Sequence, residues 1–172
     1  MGSPETQHPL REAISAHLDS RRVSRVLYGS IIGLALVVAL EAHPPAAGEV
    51  AVTLVATAIA VALAEIFSEI VGTEARTRAR LERRQLRSIA SEVSAVAIGI
   101  GSPAVFFTLA AIGMIERDTA FDLAKWAGLG LIGAYAFAAA RLTGDPVWRS
   151  LRRASLATLI GAFLIVIKAL LH

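Results

Sequence analysis

Glu65, Ser68 and Glu69 stand three and four residues apart near the end of a run, Val50 to Val71, that is otherwise apolar except for Thr53 and Thr57. Residues at that spacing share one face of a helix, so two carboxylates and a hydroxyl form a single stripe. Glu65 lies ~9 Å along the helix before Val71 and the cytoplasmic boundary, where an ionised carboxylate facing lipid costs several kcal/mol. It must therefore face protein or water, or carry a proton. Glu92, at the start of the next apolar run, can join the group. Oxygen donors arranged this way suit a hard cation or a proton relay, which makes Glu65, Glu69, Glu92 and Ser68 the candidate cation or proton path. A purely structural reading stands beside it: Glu69 and Glu92 pair at the interface with the arginines of the cytoplasmic arm that follows, and Glu65 is a protonated hydrogen-bond donor between helices.

The elements that position these groups are membrane spans. The chain of 172 residues is 55% hydrophobic, with a mean hydropathy of +0.62, and its apolar residues fall in blocks of about twenty. The blocks predict an all-α polytopic protein with five transmembrane helices: Val26 to Leu40, Val50 to Val71, about Val93 to Ile115, about Leu123 to Ala140, and Leu156 to Leu171. Residues 1–25 form a cytoplasmic segment in which Leu10, Ala13, Ile14, His17 and Leu18 give Pro9 to Ser20 an amphipathic pattern. Residues 26–172 form the membrane domain, including an arginine-rich cytoplasmic arm, 73–88. The arm is expected to continue the second span as a helix, with Leu81, Leu86 and Ile89 against the bundle. Cytoplasmic segments hold fourteen of the seventeen basic residues, and only Arg117, Lys125 and Lys168 fall outside. That asymmetry places the amino terminus in the cytoplasm and the carboxy terminus outside, in the cytoplasmic membrane.

The pI of 9.9 does not point to nucleic acid, because the positive charge sits between apolar blocks, where it governs topology. Arg76, Arg80, Arg83, Arg84 and Arg87 are candidates for binding anionic lipid or an acidic partner. Arg25 is expected to snorkel to lipid phosphates, and Lys125 to the outer surface. Gly29 and Gly33, four apart, read as a helix-packing or dimer contact. Gly99, Gly101 and Pro103 read as a hinge in the third span, since proline removes a backbone donor in mid-membrane. Gly128, Gly130 and Gly133 match a nucleotide-binding glycine pattern but lie inside an apolar span, with no strand before them. The absence of cysteine excludes thiol chemistry and disulfides, and the four histidines, His8, His17, His43 and His172, are scattered over both sides. No nucleophile, base and orienting group come together as an enzyme would need, and no cofactor is implied.

The five-span layout and the charged arm after the second span resemble the vacuolar iron transporter family. Gly29-Ser30-Ile31-Ile32-Gly33 is similar to that family's Gly-x-Asn-Asp-Gly, and Ala64-Glu65-Ile66-Phe67-Ser68 to its Gly-Glu-Tyr-x-Ser. Thr143-Gly144, the arginines after it and Gly161 extend the likeness to about residues 23–165. The resemblance implies a transporter-like scaffold and a homodimer with its pore or interface between first spans. It departs at the metal ligands: Ile31 and Ile32 replace the Asn and Asp, Val61 replaces a Met, and Glu65 alone remains. Two functions follow as expectations. The first is movement of a small cation or proton past Glu65. The second is a non-transporting scaffold that binds anionic lipid or a partner through its arginines.

Overall fold

The computed structural model describes residues 20–142 and 146–171. The amphipathic segment expected from Pro9 lies outside the described residues up to Asp19, as do His8, the turn residues Thr143, Gly144 and Asp145, and His172.

Every regular element among the described residues is a helix, and none of them forms a strand. In chain order the helices are α1 (Ser20–Leu40), α2 (Ala47–Thr77), α3 (Arg83–Gly101), α4 (Ala104–Ala111), α5 (Arg117–Leu142) and α6 (Val147–Leu171). Pro44 and Pro45 fall in the break between α1 and α2, where the ring blocks the helical hydrogen bond. Among the described residues, α1, α2 and α5 are each long and apolar enough to cross a membrane, and α3 with α4 makes a fourth crossing if the bent pair is one span. The chain therefore has the make-up of a helical membrane protein.

α1 is the central helix. It packs on α3, α5 and α6, whereas it barely touches α2, which lies instead on α3 and α4. Burial follows this order: 44% of the apolar stretch of α1 is covered, against 22% for α2 and 28% for α5. Val37, Val50, Leu54, Phe107 and Phe121 belong to one apolar cluster, with the two phenyl rings edge to face at 4.7 Å. Leu34, Val38, Leu129 and Ile132 form a second cluster between α1 and α5. Val52, Val55, Ile59, Leu63 and Phe67 make an exposed stripe along α2, as a lipid-facing surface requires.

The arm differs from expectation. α2 does not run on through 73–88. It ends at Thr77, where Arg78 takes a left-handed conformation (φ 51°) and its N–H bonds the Glu74 carbonyl at 2.8 Å. α3 then starts at Arg83 behind a capping box, in which the Glu82 N–H donates to Gln85 Oε1 at 3.0 Å. The arginines thus occupy two helix ends and the turn joining them. Ile89 is buried as expected, but Leu86 is exposed.

The bend expected at Pro103 is present: α3 and α4 meet at 48° across Ser102 and Pro103. Proline leaves the Gly99 carbonyl without its helical donor, and the Ser102 hydroxyl donates to that oxygen at 3.2 Å. Gly99, beside this bend, also lies in a close contact between helices. A Cβ there would lie 2.6 Å from the Ser30 nitrogen and 2.7 Å from the Val26 oxygen, and one on Gly29 would lie 2.3 Å from the Val96 oxygen. Gly29, Gly33 and Gly99 let the backbones of α1 and α3 touch. Of the two readings for Gly29 and Gly33, the geometry is packing within one chain.

Gly29→Ala is expected to destabilise the fold by about 1–3 kcal/mol through overpacking. Gly130→Ala, whose added Cβ meets nothing within 4 Å, should leave stability unchanged or slightly raised. Thermal unfolding in detergent distinguishes them, and equal midpoints would contradict the close approach of α1 and α3.

Candidate functional site

Arg25 sits on the second turn of α1, and its side chain turns inward instead of reaching for lipid phosphate. Its Nη1 donates to Glu65 Oε2 at 3.0 Å, while Nη2 lies 3.3 Å from Glu92 Oε2 and 3.8 Å from Glu69 Oε2. One guanidinium thereby joins α1 to α2 and α3. A planar cation with five donors can meet several carboxylates at once, which a lysine could not do with the same geometry. The side chains of Arg25, Glu65 and Glu92 are 21%, 26% and 19% exposed, against 41% for Glu69. Glu69 is thus the outermost member, and it also lies 3.9 Å from Arg76.

Three of the four residues expected to line a cation or proton path, Glu65, Glu69 and Glu92, therefore converge on Arg25. Ser68 joins Glu65 and Glu69 in lining an open groove of about 460 Å³, together with Ser24, Arg25 and Tyr28. α1 and α2 barely pack on each other, and Arg25 bridges the gap between them. Beside it, Arg22 donates to Ser91 on α3, adding a second link between the ends of α1 and α3. One guanidinium against three carboxylates leaves two negative charges on the ionised cluster, partly offset by Arg76.

Sequence alone locates the carboxylates but not Arg25 as their partner. The signal it offers is a basic residue at the inner end of the first span, and treating that residue as a lipid anchor leaves the carboxylates unanswered. A matching clamp occurs at the other end of α1: Lys125 on α5 lies 2.7 Å from Glu41 and 3.0 Å from Asp122, so it pairs with protein rather than only reaching toward the surface. Arg117 donates to the Pro44 carbonyl at 3.2 Å.

The remaining candidates fall elsewhere. Arg76, Arg80, Arg83, Arg84 and Arg87 are exposed at the α2–α3 turn. Gly101 lies near Ala58, and its added Cβ would come 3.7 Å from the alanine methyl group. Ile32 and Val61 both pack against the apolar cluster of Ala58, Val96 and Ile100, and Ile31 packs against that of Leu34 and Ile132. Gly128 and Gly133 face Leu34 and Thr158. Among the described residues no group of three His, Asp or Glu side chains is arranged to hold a metal ion. The chain matches no known family model, no curated protein and no solved structure.

Arg25→Gln is expected to lower stability by about 2–4 kcal/mol, somewhat below the loss for a fully buried pair because these groups retain some solvent. Glu69→Gln should cost less than about 0.5 kcal/mol. A double-mutant cycle of Arg25→Gln with Glu65→Gln should recover at least about 1 kcal/mol; strictly additive losses would mean that the Arg25–Glu65 pair contributes nothing.

Proposed function

We propose that the protein is a five-span scaffold of the cytoplasmic membrane, with α6 as the fifth crossing and the amino terminus inside, whose arginine-rich face binds anionic lipid or an acidic partner. The observation that carries this reading is the Arg25 bridge. The carboxylates that could collect a diffusible cation already hold a cation belonging to the chain. The aliphatic packing of Ile32 and Val61 supports the same reading, since the resemblance to the vacuolar iron transporter family puts metal ligands at those two positions. The arginines at the α2–α3 turn are exposed and grouped at one end of the bundle, where each is worth about 1 kcal/mol against an anionic surface. A homodimer, as that resemblance implies, would have to meet through a face other than the Gly29 and Gly33 stripe, which α3 covers.

A second reading is movement of a proton or small cation past Glu65. It is favoured by the groove opening on Glu65, Ser68 and Glu69 and by the excess negative charge there. In that mechanism an incoming cation would displace Arg25 from Glu65.

Two measurements separate the readings. Replacing Arg83, Arg84 and Arg87 by Gln should weaken binding of anionic soluble probes or partners to the exposed face by about tenfold or more, with stronger loss at low salt. Liposomes carrying the wild type should show no cation or proton flux above protein-free vesicles. Flux that disappears in Glu65→Gln would overturn the scaffold reading in favour of transport.

A further inference from the structure

An apolar trough of about 760 Å³ runs between α5 and α6. Gly130, Gly133 and Ala134 contribute little bulk to it, while Trp126, Phe137 and Leu151 stand along its sides. Its two hydroxyls are already engaged with backbone: Ser155 donates to the Leu151 carbonyl at 2.9 Å, and Thr158 to that of Ala154 at 2.9 Å. From Leu151 to Ala162 the trough extends ~16 Å along α6, about half the hydrocarbon thickness of a bilayer and hence the reach of one leaflet's acyl chain.

The arginine end of this trough continues into a smaller hollow of about 280 Å³ that shares Leu151 and Ser155 and adds Trp148 and Arg152. Arg149 and Arg152 are exposed, and neither takes part in an ion pair among the described residues. The site is thus apolar along its length and cationic at one end. Tryptophan beside the arginines is suited to the headgroup boundary.

We infer that the α5–α6 trough holds one anionic phospholipid, with an acyl chain along Gly130 and Gly133 and its phosphate on Arg149 and Arg152. This rests on the scaffold reading only in placing the arginine end at an anionic leaflet, and it concerns residues separate from the α2–α3 turn. Charge complementarity selects the lipid over a second copy of the chain, whose apolar helix would leave both arginines unanswered.

Trp126 and Trp148 are the two tryptophans of the chain, so lipid contact can be read without labels. The full chain carrying Trp148→Phe, reconstituted in phosphatidylcholine with brominated phosphatidylglycerol or brominated phosphatidylcholine at equal mole fraction, reports quenching of Trp126. The expected result is at least about a fivefold preference for phosphatidylglycerol, reduced towards one by Arg149→Gln with Arg152→Gln. Gly130→Leu, which enters open space, should remove the excess quenching by filling the trough. Equal quenching by the two lipids in the parent protein, or a preference retained in both variants, would overturn the inference. Replacing Arg83, Arg84 and Arg87 should leave the Trp126 preference intact, so failure of the lipid site and failure of the scaffold reading give different results.

Discussion

A charge placed near hydrocarbon has to be answered from within the protein, and Arg25 supplies that answer for three carboxylates at once. α1 and α2 scarcely pack against each other, so apolar contact does not fix their separation at this end. The guanidinium does, by reaching from α1 to Glu65 and Glu69 while also meeting Glu92 on α3. The cost of desolvating these groups is moderated because each keeps some exposure. Lys125 with Glu41 and Asp122 restrains the opposite end of α1 in the same manner. The central helix is consequently held at both ends by ions and along its length by packing.

That packing depends on the absence of side chains as much as on their presence. Lipid tails are as apolar as leucine, so helices in a membrane gain little from hiding oil and more from close approach. Gly29 and Gly99 bring α1 and α3 to backbone contact. Where glycine meets no neighbour, as at Gly130, the same lack of bulk leaves a surface trough instead. One residue type therefore yields either a seam or a cleft, depending on whether another helix covers it.

The distribution of charge gives the bundle two unlike ends. Arginines crowd the end containing the α2–α3 turn and the start of α6, whereas Glu41, Glu49, Glu116, Asp118 and Asp122 gather at the other. The cluster around Arg25 brings acid into the basic end. Its carboxylates offset arginines locally and leave the outer arginines at the turn facing solvent or membrane.

The periodicity and length of the apolar blocks determined a helical membrane protein, the proline breaks and the bend at Pro103, because those features depend on the chain's local chemistry and on bilayer thickness. Sequence also singled out Glu65, since a carboxylate within an apolar run stands out without any knowledge of its neighbours. It did not determine that Arg25, forty residues earlier, would be the partner, nor that Gly29 and Gly33 face α3. Those depend on which helices become neighbours and how they are rotated, and the residues of α1 alone are compatible with several such arrangements. The end of α2 at Arg78 was hidden for a related reason: an arginine adopts the left-handed conformation only where the returning helix requires a turn. Tertiary structure decided these points because each is a relation between segments, and a single segment carries only its own half of it.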